Sequence, residues 1–380
     1  MRVRYFKRDV LIIITLLYLF LNAINILESG FIRLFPTLVM LLSGVIAIPV
    51  IVRKESRNTL DRVILAYWII VGMSAFIIGS YETSSVVTYL RATYWCSVFF
   101  IAKDLFGKDI VNSKLFDKSI LYILAMMTVA FVLNNRVNTR ADEFIGNNAV
   151  YFPLLVLPWI VSISKKGWKW VGIAVILFCV LISLKRSATL IIVGSLFVTF
   201  FFDFVYSKRK KTFSTFILAL AVIGVGFLIL YSNINSVNVV SQRFDSIEED
   251  GGNGRDMIYY DVLYRFSQSS TIDKFIGHGY NMVRGESTMS VPVSAHNDFL
   301  EVLYDYGYVG IVVYVLLHLI LIQRIILFTK RRFYLAPAYL VSYICMLVMS
   351  LVSHLMIYPT YIVFLVSFWA FCENQYRLKQ

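Results

Sequence analysis

Charge is what this chain has least of for its length. Only 16% of its 380 residues are Asp, Glu, Lys or Arg, against 59% apolar ones, and the mean hydropathy is +0.73. A water-soluble domain of this size needs a polar shell that so few charges do not supply, which excludes a soluble globular protein. Cysteine is scarce as well. The four, Cys96, Cys179, Cys345 and Cys372, all fall in apolar segments, so no disulfide framework is implied and they read as small core hydrophobes. No fixed-period repeat and no low-complexity stretch is present.

What is there instead is a series of apolar runs of the length, roughly 17–25 residues, that spans a ~30 Å hydrocarbon core. They lie near 10–27, 34–52, 60–80, 84–102, 119–133, 149–164, 170–184, 187–205, 213–231, 299–322, 333–353 and 355–373. This predicts an all-α polytopic integral membrane protein of about twelve transmembrane helices. Every second connection is basic, starting with Arg2, Arg4, Lys7 and Arg8 and ending with Arg324 and Lys330–Arg332. Because cationic loops resist translocation, both termini are expected in the cytoplasm. The formal net charge of +13 therefore reflects topology and contact with anionic headgroups of membrane lipids, and is not a nucleic-acid signal. The first apolar run has a positive flank but no small-residue cleavage site, and is expected to stay as a helix.

One connection is far longer than a helix turn needs. The division expected is 1–231 as helices one to nine, 232–298 as a long extracytoplasmic loop, and 299–380 as helices ten to twelve. Within the loop, Arg255–Phe266 puts Ile258, Val262, Leu263 and Phe266 at helical spacing, an amphipathic helix that lies on the membrane or roofs a cavity. Glu248–Gly254 before it reads as a turn. Carboxylates outnumber Lys and Arg in the loop, so any anion site there depends on particular arginines.

Few residues are placed to carry chemistry. Arg91 stands inside an apolar run, where a charge faces a partner or a watery cavity unless it snorkels to the interface. Lys185 and Arg186 lie at the expected external junction of helices seven and eight, where few basic residues are expected. They serve either as a headgroup anchor or, with Ser183 and Ser187 at helix ends, as a grip on phosphate. Arg255 opens the amphipathic helix although the helix dipole disfavours a cation there; the plain alternative is a solvated charge. His296, in SAHNDFLEVLYDYGYVGIVVYV, stands where the loop meets the membrane, with Ser294 available as a helix cap. Its imidazole suits a general base, or is a passive polar residue. On a regular helix Glu301 lies about 140° around from His296, so a direct pair is not expected. Asn297 and Glu301 share a face and are expected to pair instead. Three consecutive carboxylates at Glu248–Asp250 splay apart, so no metal is expected. His278, His318 and His354 have no partner visible in sequence, and His278 between two glycines reads as a turn.

Three blocks together resemble the O-antigen ligase and polymerase superfamily: KRSATLIIVG, GRDMIYYDVLYRF followed by IGHGYN, and HNDFLEVLYDYGYVGIVVY. RAT at Arg91 resembles a short stretch of some ligases, while Ser187 departs from the glycine many members carry. The resemblance is best over 183–322. It implies a glycosyltransferase without cofactor or metal. The reaction would be an inverting transfer from undecaprenyl-pyrophosphate-linked oligosaccharide on the outer face of the bacterial inner membrane. Arg186 and Arg255 match the arginines expected to hold the pyrophosphate, and His296 the histidine expected at the acceptor hydroxyl. Arg91, Lys185, Asn297 and Glu301 are expected to bind substrate. A polysaccharide polymerase, with a chain-length regulator as partner, is the first expectation, and the ligase that moves polymer to lipid A core is the second. A flippase or transporter is the rival of another class, but the two halves of the chain look dissimilar and the longest loop is external.

Overall fold

The computed structural model describes residues 2–24, 34–53, 58–78, 85–106, 113–138, 147–183, 185–207, 255–289 and 292–379. Every regular element among them is helical. In chain order they are α1 (Arg2–Ala23), α2 (Leu34–Val52), α3 (Thr59–Ile77), α4 (Ser85–Phe106), α5 (Ser113–Asn138), α6 (Tyr151–Leu154), α7 (Leu157–Val161), α8 (Lys166–Ser183), α9 (Arg186–Ser207), α10 (Arg255–Gln268), α11 (Thr271–Ile276), α12 (Met282–Gly285), α13 (Asp298–Lys330), α14 (Ala336–Val352) and α15 (Pro359–Leu378). The protein is an all-α polytopic membrane protein. Among the described residues, six helices are long and apolar enough to cross a membrane by length and composition. The expected segment 213–231 and the turn Glu248–Gly254 lie outside the described residues.

Two helices form the centre of the bundle. Every residue of α4 from Ala92 to Ala102 is buried, as is every residue of α15 from Thr360 to Gln375 except Ser367. A helix buried on all sides is shielded from lipid and tolerates polar groups that a lipid-facing helix does not. Those groups gather at one end: Lys103 pairs with Asp61, Arg324 sits 3.1 Å from Glu373, and Asn58 Nδ2 donates to Glu373 at 2.7 Å. The outer helices turn large apolar side chains outward instead, among them Leu38, Leu42 and Val45 of α2 and Val312, Leu316 and Leu319 of α13.

The expected span 149–164 is not a regular helix. A 3-10 turn over Asn148–Val150 leads into α6 and α7, and Pro153 and Pro158 interrupt the run. Proline removes a backbone donor and clashes with the preceding turn. The broken backbone is tolerated because it is packed inside protein, with residues 149–158 all buried.

The amphipathic helix of the loop is α10. Ile258, Val262 and Phe266 face inward and build a small separate core with Val283, Ala295 and Tyr304. Leu263 is exposed, because it stands one residue past Val262 and so about 100° around from the buried stripe. The loop is then bolted to α13. That helix is interrupted at Gly307 (φ 64°, ψ −161°), and α11 ends against the break. A Cβ added at Gly277 would lie 2.2 Å from the Asp305 carbonyl oxygen, and one at Gly307 would lie 2.5 Å from the Phe275 carbonyl. Two main chains therefore cross in direct contact, which glycine alone permits. Backbone bonds from His278 to Tyr304 and from Gly279 to Asp305, both 3.0 Å, extend the crossing. The Asp305 carboxylate accepts from the amides of Asn281, Met282 and Val283 at 2.7–3.3 Å.

Candidate active site

The start of α13 fixes the site. Asn297 caps the helix, its Oδ1 accepting from the amides of Phe299 at 2.9 Å and Leu300 at 3.3 Å. The cap is thus Asn297 and not Ser294. The expected Asn297–Glu301 pair does not form, because the Asn297 side chain is committed to these amides. Glu301 turns the other way and is buried; its Oε1 accepts the Ala295 amide at 2.5 Å. Between these two anchors His296 adopts a left-handed backbone (φ 53°), a conformation that histidine tolerates better than most residues.

A second turn meets this one. Asp298, fully buried, accepts the Leu355 amide at 3.1 and 3.2 Å and the Met356 amide at 3.3 Å. That bond set draws the connection between α14 and α15 onto the start of α13 and sets the ring of His354 4.2 Å from that of His296, tilted 37°. Beyond His354 run Tyr358, Tyr361 and Tyr151, their ring centroids 5.5–5.8 Å apart in sequence. Tyr151 closes the row by hydrogen bonding Ser187, one residue into α9.

The cations stand around the histidines. Burial first, then Arg255, then Lys185 lowers the His296 pKa to about 4. Burial, His296, Lys185 and Arg255 lower that of His354 to about 3. Both rings are thus held neutral at physiological pH by burial and by the nearby positive charges. Arg255 also acts on Tyr151, so the start of α10 reaches over the tyrosine row. Arg186 is the first residue of α9, next to Lys185, and is half-buried.

The structure therefore brings together His296, Arg255 and Lys185, with Arg186 adjoining. Asn297 and Glu301 are holding groups behind the histidine. Arg91 is exposed on α4 and lies within electrostatic reach of Tyr18 and Tyr280 rather than of the histidines. Among the described residues it borders the site through Tyr280, whose hydroxyl donates to the Ile357 carbonyl at 3.1 Å. His278 serves the loop scaffold: its Nε2 is 2.8 Å from Ser269 Oγ, its Nδ1 is 3.3 Å from Glu286, and its ring stacks on Tyr304 at 4.3 Å. His318 is buried among Phe299, Tyr314 and Tyr343.

Sequence reasoning missed His354. The available signal was topological, since the 353–355 connection follows an odd-numbered expected span and so falls on the same side as His296. Against known families, residues 171–315 match the model described as O-antigen ligase. That stretch takes in Lys185, Arg186, Arg255, His296 and Glu301, and leaves out Arg91 and His354. No curated protein matches the chain.

Proposed function

The chain belongs to the O-antigen ligase and polymerase superfamily, and from that premise we propose that it is a polysaccharide polymerase working on lipid-linked glycans at the outer face of the bacterial inner membrane. The observation that carries the reading is the neutral His296 beside Arg255 and Lys185. A base and an anion-holding pair are the two functions that glycosyl transfer from a pyrophosphate needs.

The acceptor hydroxyl attacks the anomeric carbon of the donor from the side opposite the pyrophosphate. A carbon–oxygen bond forms as the bond to the leaving pyrophosphate breaks, with inversion. The hydroxyl proton passes to a ring nitrogen of His296, and the departing oxygen takes the electron pair. The charge that develops on it is met by Arg255, Lys185 and Arg186, which supply without a metal what a metal ion supplies elsewhere. The undecaprenyl chain of the donor lies in the bilayer, and the loop helix α10 covers the sugar.

Transfer of finished polymer to lipid A core is the second reading, favoured by the ligase description of the matching family. Purified protein given native lipid-linked oligosaccharide alone separates the two. A ladder of longer lipid-linked chains, lost in His296→Ala, supports the polymerase; product only after lipid A core is added supports the ligase; no product in either case favours the transporter class.

A further inference from the structure

His354 lies outside the stretch that matches the family, yet its ring packs against that of His296, 4.2 Å away. Its placement does not come from its own bonding. It is 7% exposed, and its Nδ1 has no hydrogen-bond partner among the described residues. A buried, unsatisfied nitrogen costs stability that leucine or phenylalanine would not cost in the same space. The turn is held by other groups, the Asp298 carboxylate on the amides of Leu355 and Met356. Packing alone therefore does not account for a histidine here.

The surroundings indicate what does. Nδ1 of His354 faces Oε1 of Glu301 at 3.9 Å, the oxygen that also receives the Ala295 amide next to His296. The other carboxylate oxygen, Oε2, is buried without a partner. The charged and titratable groups facing the histidine pair are Glu301 from α13, Lys185 from the α8–α9 junction, Arg255 from α10 and Tyr358 from the start of α15. Two of these are cations. When His296 takes up a proton it becomes an imidazolium beside these cations, and among the described residues the ring in contact with it is that of His354.

We propose that His354 is a positioning residue for His296: the π face of its neutral ring, 4.2 Å away, stabilises the imidazolium that forms as the acceptor hydroxyl loses its proton. The proposal rests on the reading of His296 as the base. The two rings lie 4.2 Å apart at a tilt of 37° with no hydrogen bond between them among the described residues, so His354 acts through its field and its face rather than by passing the proton on.

The test compares wild type, His354→Leu and His354→Phe. The chain has four histidines, so ring signals of protein labelled at histidine Cε1 resolve the His296 titration in detergent without any substrate. The titration midpoint of His296 is expected to move to lower pH in His354→Leu, which lacks both π face and polar edge, and less in His354→Phe, which keeps the face. With substrate, kcat of His354→Leu falls roughly tenfold while donor KM and Tm do not fall, and His354→Phe lies between it and wild type. An unchanged His296 midpoint in His354→Leu overturns the proposal, as does unchanged kcat. If wild type forms no glycan product, the functional reading fails, and the substrate-free titration still decides the histidine pair.

Discussion

The pH dependence of transfer is the sharpest consequence of the site. An imidazole of ordinary pKa, near 6.5, is about three-quarters protonated at pH 6 and then useless as a base. Burial, Arg255 and Lys185 lower the His296 pKa to about 4, which leaves about one part in a hundred protonated at pH 6. The kcat/KM profile, which reports the free enzyme, is therefore expected to be flat from pH 8 down to about pH 5, with an acid limb near 4. An ordinary histidine would already have lost most of the rate at pH 6. On the proposed function, bound pyrophosphate would neutralise Arg255 and Lys185, so the limb in kcat is expected at higher pH than the limb in kcat/KM. The fold responds to the same groups in a known direction: with a folded pKa below the unfolded one, the unfolded chain binds more protons between about pH 4 and 6.5, and stability falls as pH drops through that window. Tm recorded in each assay buffer separates the two effects. A kcat/KM limb near 6.5, with Tm constant across it, would refute the assignment of His296 to this environment.

Three further outcomes follow from the geometry. Arg255→Ala removes the larger of the two charges that depress His296, so the acid limb of any remaining kcat/KM moves to higher pH while turnover falls by two orders of magnitude or more, roughly the loss of one oxyanion-type donor; full turnover would remove Arg255 from the leaving-group site. Asp298→Ala strips the acceptor from the Leu355 and Met356 amides and is expected to cost about 2–3 kcal/mol, read as a lower Tm in detergent, whereas an unchanged Tm would show the two turns to be held by something else. Gly307→Ala places a methyl 2.5 Å from the Phe275 carbonyl at φ 64°, ψ −161°, a backbone region essentially reserved for glycine that adds about 1–3 kcal/mol of strain to the clash, so protease sensitivity of the 255–289 segment should rise.

Much of this arrangement was legible from residues alone. Apolar spans, amphipathic helix and loop-end histidine all rest on periodicity and on the burial cost of polar groups, which act locally. The failures came where tertiary packing decided the outcome. The run 149–164 has the composition of a span, and only its enclosure by other helices allows the prolines to break it. Glu301 was read by its angle around a helix that does not reach back to His296, and the groups it meets, the Ala295 amide and His354, belong to a preceding turn and to a connection more than fifty residues on. Ser294 and Asn297 are both capping types, and the choice between them was made by where Glu301 pulls the chain. His354 had no local signature, because its meaning depends on Asp298 reaching across to its turn.

The contact of Gly277 with the Asp305–Gly307 break is made by main chain, and main chain is the one part of a protein that sequence drift leaves unaltered. Side chains of α10 and α12 can change without moving the point at which the loop meets α13, so His296 keeps its depth. Two glycines thus set the depth at which the loop, and His296 with it, meets the membrane frame.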